Sequence, residues 1–448
     1  MPPHDTQAEP VGTGPEQPLE PSADVVVIGG GIVGCASALR LAQRGVRVLL
    51  LEKGRIAGEQ SSRAWGFVRQ QDRDPAELPL MVAGNRIWRE LEGELGADVE
   101  WNPGGILALA RTEEDLAHYE ARARLEQAAG ADSRMLTPAQ VSALLPQLAL
   151  PVRGGLHTPS DGHAHPGKAT RALAAGAVRA GAVLRHHCAV EGFLREGGRL
   201  AGVVTSLGTV RADTVLCAAG AHSAQLGRML GLALPVRSVR STVCESEPVA
   251  RFTELAVRGL DVAFRQSRSG SLWLGRVSAG SADYDLTLES FRHLRWFLPN
   301  FLRNRKMLRL HVGRPLLQDV ARALPGTRAH RHPFAHTVDA EPRPNAATAE
   351  ANRQAFMRHF PALGEVRIAR TWAGIIDTLP DLIPVLGATP VPGFLFATGF
   401  SGHGFAMGPI VGRLMAELIC DGRPSLDLHP LRFSRFAEGA LAPARALR

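Results

Sequence analysis

Lysine is almost missing from this 448-residue sequence. It occurs only at Lys53, Lys168 and Lys306, so arginine supplies nearly all the positive charge behind the formal net +8. Any buried cation that the chain offers an anionic ligand is therefore expected to be an arginine. These arginines are interspersed with Asp and Glu along the chain, which argues against a nucleic-acid partner. Tyrosine is rarer still, at Tyr119 and Tyr284 alone. The five cysteines, Cys35, Cys188, Cys217, Cys244 and Cys420, form no CxxC pair, so a reduced, cytoplasmic protein is expected. No apolar run is long and uncharged enough to span a bilayer. Residues 1–22 are rich in Pro, Gly and acids and lack the basic start and apolar centre of a signal peptide; they read as a disordered leader.

What is present begins at Val25. Val25 to Ile28 is a β-branched run, Gly29-x-Gly31-x-x-Gly34 is a turn, Cys35 to Arg44 is helix-compatible, and Val46 to Leu51 is a second strand closed by Glu52. The first glycine permits the tight turn, the second lets backbone N–H groups approach a pyrophosphate, and the third lets helix pack on strand. The helix start then faces the phosphates, and Glu52 stands where a carboxylate accepts from a ribose hydroxyl. Strand, turn, helix, strand and acid together point to dinucleotide binding.

Further along, helices are expected at Pro75 to Leu95, Glu113 to Gln127, Pro138 to Leu145 and Gly167 to Ala180, the third opened by a Thr137/Gln140 capping box. Gly197-Gly198 divides a hairpin, and Thr214 to Gly220 reads as a buried strand returning to a parallel sheet. From Pro235 to about Arg370 alternating strands are mixed with amphipathic helices near Leu286 to Leu298 and Ala346 to Phe360. Short apolar strands then return at Pro384 to Gly387 and Phe394 to Thr398, followed by Gly399-Phe-Ser-Gly-His-Gly404 and a last helix from about Pro409 to Cys420.

Three pieces, Ile28 to Glu52, Asp213 to Ser223, and Trp372 through Asp381 to Gly399–Phe405, resemble the flavin-dependent amine and amino-acid oxidoreductases related to D-amino-acid oxidase, glycine oxidase and sarcosine oxidase. The resemblance runs in order from about Asp24 to Asp421. It implies an α/β fold in which a Rossmann-type FAD-binding domain (23–80, 150–235 and 368–448) is interleaved with a mixed-sheet substrate domain (81–149 and 236–367). It implies FAD in place of NAD. It puts Gly29, Gly31 and Gly34 at the pyrophosphate, Glu52 at the adenosine ribose, Ser61, Ser62 and Arg63 in a turn under the flavin, and Gly220 in the returning strand's turn. Gly399, Ser401, Gly402, His403, Gly404 and Phe405 belong to the loop whose donors face the flavin's pyrimidine edge.

The departures from that family are informative. Two lysines of monomeric sarcosine oxidase are replaced at Ala406 and Trp273, and the residues that attach flavin in some relatives lack a counterpart near Trp372, so non-covalent FAD is expected. The scarcity of tyrosine argues against a tyrosine-capped pocket. The expected activity is oxidation of an amino-acid-like primary or secondary amine to an imine, with oxygen, a quinone or a carrier protein as electron acceptor. Alternatives are oxidation of a 2-hydroxy acid or glycerol phosphate, and a flavoprotein subunit dependent on a partner chain. A substrate carboxylate needs a partly buried arginine; Arg69 is the first candidate and Arg265 the next. Trp65 and Trp273 are candidate pocket walls. His403 is a turn residue or a proton-transfer group, and His163-Ala-His165 reads as a turn in preference to a metal site.

Overall fold

The computed structural model describes residues 11–276, 280–332, 334, 337–338 and 341–443. Val25–Ile28 is buried along its whole length, so it needs a neighbour on each edge and cover on each face. It pairs in parallel with Val48–Leu51 on one side and Thr214–Cys217 on the other. Val183–Arg185 and Phe394–Thr398 extend this sheet outward in parallel, and Val385–Ala388 closes it antiparallel, giving six strands. Successive strands thus leave the first one in opposite directions. That switch point lies at its carboxyl end, where such sheets bind ligands.

The helix Ile32–Ala42 covers one face and is buried at ten of its eleven positions. It has Gly404–Asp421 and Pro166–Arg179 as neighbours. The first contact is close enough to require glycine: a Cβ at Gly408 would lie 2.8 Å from Ile32 Cγ1, and one at Gly412 only 2.5 Å from the Ala36 carbonyl carbon. The last helix therefore starts at Gly404, ahead of the expected Pro409. Burial of this whole face outweighs the one helix hydrogen bond lost at the proline. On the opposite face lies a three-stranded sheet, Val190–Glu196, Arg199–Thr205 and Gly208–Arg211.

A ten-stranded sheet forms the second layer. Its centre is Arg237–Ser246, paired with Leu272–Gly275 and, over nearly its full length, with Ile368–Thr378. Ile106–Ala110, Gly154–Thr158 and Arg134–Leu136 belong to the same sheet. Gly154–Thr158 and Ile368–Thr378, inside the segments 150–235 and 368–448 expected to form the FAD-binding domain, thus pair within this second sheet. The position of these strands in the chain does not reveal their partner. The expected helix at Leu286 to Leu298 is two helices, Leu288–Arg292 and Leu294–Asn304, separated where His293 leaves the helical region. Phe264, Phe356 and Phe360 pack below this sheet, with ring centroids 4.9–5.0 Å apart.

Residues 11–22 correct the expectation of a disordered leader. Thr13 bridges to Arg185 and Ser22 to Arg211. The Arg185 side chain, on the last strand of the six-stranded sheet, is buried against Glu20 at 2.6 Å. A guanidinium shielded in this way needs the paired carboxylate. Residues 1–10 lie outside the described part.

Candidate functional site

A cavity of about 420 Å³ runs between the switch point of the first sheet and the inner face of the second. At one end lies the glycine turn. Gly29 has φ +111°, and a Cβ on Gly34 would sit 1.9 Å from the Gly29 carbonyl oxygen. Gly34 is therefore a packing residue and does not line the cavity, whereas Gly29 and Gly31 do. The Glu52 carboxylate accepts from Gly30 N–H and Gly54 N–H, both at 2.7 Å. Burial, with Glu59 nearby, pushes it up to about 7. Ser61 Oγ accepts from Ile32 N–H at 2.9 Å, at the start of the first helix. Ser61 and Arg63 line the cavity; Ser62 turns away and donates to the Glu59 carbonyl at 3.1 Å. Gly220 lies opposite, beside Gln60.

The far wall of this end is the stretch from Gly399 to Phe405. Gly399, Ser401 and Gly402 all have positive φ, at 75°, 52° and 89°. Asp377 holds the two ends of that bend: its carboxylate accepts from Gly399 N–H at 3.0 Å and its carbonyl from Ser401 N–H at 2.9 Å. Burial pushes its carboxyl up to about 6. Ser401, Gly402, His403, Gly404 and Phe405 line the cavity, while Gly399 lies behind Phe400. No side chain caps the helix that starts at Gly404, so its first N–H groups are free to meet an acceptor.

The other end is cationic. Arg69, Arg73 and Arg258 converge there, and Arg276 also lines the wall. Burial, and then repulsion from Arg73 and Arg258, holds the Arg69 guanidinium well below its ordinary range. Arg69 donates to the Gln71 carbonyl. Arg258 is paired with Asp72 at 2.9 Å. Arg73 donates through Nε to the Arg69 carbonyl at 3.1 Å, while its buried Nη1 has no hydrogen-bond partner. A buried cluster of like charge with an unmet donor is stabilised by an anion.

His403 connects the two ends. Its Nδ1 lies 3.0 Å from the buried carboxylate of Glu77. Burial and then Arg73 lower His403 to about 4. Burial opposes ionisation of Glu77, but His403 and Arg73 overcome it and hold that carboxyl below its usual value. With the ring neutral and the carboxylate ionised, Nδ1 carries the proton, and Nε2 is left as an acceptor.

Two candidates lie elsewhere. Arg265 does not reach the cavity: its Nε donates to the Trp65 carbonyl at 2.6 Å and its guanidinium stacks 4.0 Å over the Trp273 ring. Trp273 is buried behind Trp65 and packs edge-on against Trp372 at 4.9 Å. Both support Trp65, which does line the cavity. Residues close to each other in sequence-derived strands fall on opposite faces, and period-two alternation does not say which face is which. Ala406 is also buried, and its carbonyl accepts from Trp88 Nε1–H at 2.8 Å.

Arg73, Arg258, Glu77 and Asp377 were not anticipated. The spacing of Arg69, Arg73 and Glu77, four residues apart, was the available signal. His165 caps a helix by accepting from Lys168 N–H at 3.2 Å. Among the described residues no cluster of three His, Cys, Asp or Glu could hold a metal ion.

The turn carrying Arg69 is held by Asp161. This buried carboxyl, pushed up to about 7 by burial, accepts from Gln70 N–H at 2.8 Å and from Gln70 Nε2 at 2.9 Å. Asp161→Ala leaves Gln70 N–H without its acceptor and Gln70 Nε2 with Ser160 Oγ alone, at 2.8 Å, and is expected to cost about 2–4 kcal/mol in urea unfolding of the flavin-loaded protein. An unchanged midpoint would show that the turn holds without it.

The FAD dependent oxidoreductase family matches residues 24–418. Sarcosine oxidase subunit beta of an Arthrobacter species is 26% identical over 430 residues, covering 94% of this chain and 92% of that protein. Human mitochondrial sarcosine dehydrogenase is also 26% identical, but the chain spans only 43% of its length. Among solved structures, L-amino acid deaminase from Proteus myxofaciens, in complex with anthranilate, superposes with a TM-score of 0.89 at 25% identity, covering 96% of this chain and 97% of that one. The glycine turn with its acid, the uncapped helix start and the cavity between the two sheets fit FAD, and the family match covers all of them. The chain belongs to the FAD dependent oxidoreductase family, and FAD is its cofactor.

Proposed function

We propose that this enzyme oxidises the CH–NH group of an amino-acid-like amine to an imine, holding the substrate's carboxylate at Arg69. The observation that carries this reading is the convergence of Arg69, Arg73 and Arg258 on a cavity shared with the flavin cradle, with Arg73 Nη1 unpaired. FAD, when bound, accepts the hydride. The chain's own task is orientation: Arg69 fixes the carboxylate, Trp65 and Phe67 supply apolar wall, and the Glu77-bound His403 stays neutral beside the substrate. Gly29, Gly31 and the helix start at Ile32 would take the pyrophosphate, and Glu52 would take the ribose. Gly34 keeps that turn tight. Ser61 and Arg63 would hold the flavin from one side, and the donors of Ser401 to Phe405 would stabilise negative charge developed on it. The histidine and the cysteine that attach flavin in some relatives have no counterpart near Trp372, which favours non-covalent binding.

The test is anaerobic bleaching of the purified flavoprotein's visible band by separate pools of D- and L-amino acids, N-alkyl amino acids and 2-hydroxy acids. Bleaching by an amine pool is the expected result. Bleaching by 2-hydroxy acids alone would overturn it in favour of alcohol oxidation. No bleaching by any pool, from a protein clearly loaded with FAD, would transfer the chemistry to a complex with a partner chain.

A further inference from the structure

The segment 286–324 departs from the rest of the molecule in both apolar exposure and charge. Ten of the fifteen exposed large hydrophobic residues among those described fall between Phe291 and Val338, and nine of these lie between Phe291 and Leu324. They are ordered by secondary structure. Leu294, Leu298 and Leu302 recur every fourth residue of the helix Leu294–Asn304, and Phe291 precedes them in the helix before. That spacing makes one stripe along the helix surface. Leu310 and Val312 are 53% and 74% exposed at the end of the strand Leu308–His311. In the helix Arg314–Ala323, which buries no residue at all, Leu317 and Val320 are exposed on one side, and Leu324 follows in the next turn.

A face of this kind costs solvation free energy unless something covers it. The charge of the segment indicates what. It contains eight Lys and Arg against two Asp and Glu, so it carries most of the formal net charge of +8 in the whole chain. Both acids already have arginine partners: Glu289 with Arg228 at 3.0 Å and Asp319 with Arg322 at 3.3 Å. Arg292, Arg295, Arg303, Arg305, Lys306 and Arg314 are exposed around the apolar stripe. Short amphipathic helices with leucine and phenylalanine on one face and basic residues around it are built to lie in the interface of an anionic bilayer without crossing it. No described helix is long and apolar enough to cross.

We propose that the segment Thr287–Leu324 docks the enzyme peripherally on a membrane surface rich in anionic lipid. The apolar stripe enters the headgroup boundary, and the flanking arginines pair with lipid phosphates. Docking would set the active cavity beside the lipid, because Met307, between the two halves of the segment, also lines that cavity. The docking does not depend on which substrate the cavity takes.

Flotation of the full-length FAD-loaded protein with liposomes tests this directly. Vesicles of one part phosphatidylglycerol to two parts phosphatidylcholine should carry the protein up the gradient, whereas pure phosphatidylcholine vesicles should bind it at least about tenfold less. Raising the salt to about 0.5 M should release most of it. Leu298→Glu with Leu317→Glu, both at exposed positions, should reduce partitioning about tenfold or more. Arg295→Glu with Arg303→Glu should do the same through charge, and in both variants flavin content and the thermal transition should stay unchanged. Failure of the wild type to float with anionic vesicles overturns the proposal. So does a concentration-dependent dimer in sedimentation that the leucine substitutions abolish, because the face would then be a contact between two copies.

Discussion

Arg69→Ala should lower kcat/KM for carboxylate-bearing amines by about a hundredfold to a thousandfold, the size expected when a desolvated, charge-assisted contact to an anion is removed. The loss should appear mainly in KM, because the contact is made before and during the reaction alike. Amide analogues of the same amines should change by less than about threefold. The reason lies in the neighbours of Arg69. Arg258 is committed to Asp72 and Arg73 is anchored by the Arg69 carbonyl, so neither is free to take its place without moving the turn. Removing this guanidinium also removes a buried charge, since burial first and then repulsion from Arg73 and Arg258 hold Arg69 below the ordinary arginine range. Arg69 also donates to the Gln71 carbonyl, so the thermal transition of the variant is measured beside its activity to separate a lost substrate contact from unfolding. Arg69→Lys keeps the charge and loses the planar fork, so it should recover only part of the loss. Stopped-flow reduction with each substrate pair is the measurement. An equal loss on acids and amides would remove Arg69 from the carboxylate site.

Much of the nucleotide end was legible in the sequence because local rules dictate it. Gly29, Gly31 and Gly34 at fixed spacing, a β-branched strand before them and Glu52 after the next strand can form one compact unit, and short-range sterics allow few others. Phe394–Thr398 and the glycine bend after it were readable for the same reason. The cationic end was only half readable. Arg69 could be singled out from the turn after Trp65-Gly66-Phe67, but Arg258 is brought to it by a strand almost two hundred residues later, through a pairing of Ala256–Arg258 with Ile106–Ala110 that no local pattern announces. Arg265 misleads for the same reason: its strand was foreseen, but the face on which it lies is set by pairing with Leu272–Gly275. Glu77 looked like the unremarkable start of a helix, and only the folded chain brings it to His403. Sequence distance, more than chemistry, separates what was seen from what was missed.

FAD affinity should rise with pH up to about 7 and then level off, and Glu52 should be the cause. In the flavin-free fold burial raises this carboxyl to about 7, from an ordinary value near 4.5. A carboxyl raised in this way contributes to folding stability below about pH 4.5, and the contribution is lost as the pH climbs through 7. In the proposed binding mode a ribose hydroxyl donates to the ionised form, so binding favours loss of the proton. Below pH 7 each bound FAD must displace that proton, and the apparent Kd should fall by up to about tenfold per pH unit. Between pH 5.5 and 7.5 the total change should be about thirtyfold, read by quenching of flavin fluorescence on titration into flavin-free protein. Glu52→Gln cannot titrate, so its affinity should be flat over the same range. It should also be weaker than the wild type at pH 8 by about tenfold to a hundredfold, because an amide cannot accept from Gly30, Gly54 and the ribose together. A pH-dependent Kd that survives unchanged in Glu52→Gln would assign the proton elsewhere, with Asp377, raised to about 6 behind the flavin-facing loop, as the next group to replace. A wild-type Kd that does not vary from pH 5.5 to 7.5 would mean that FAD meets Glu52 already ionised, and that the two backbone N–H groups alone suffice to hold its charge in the closed turn.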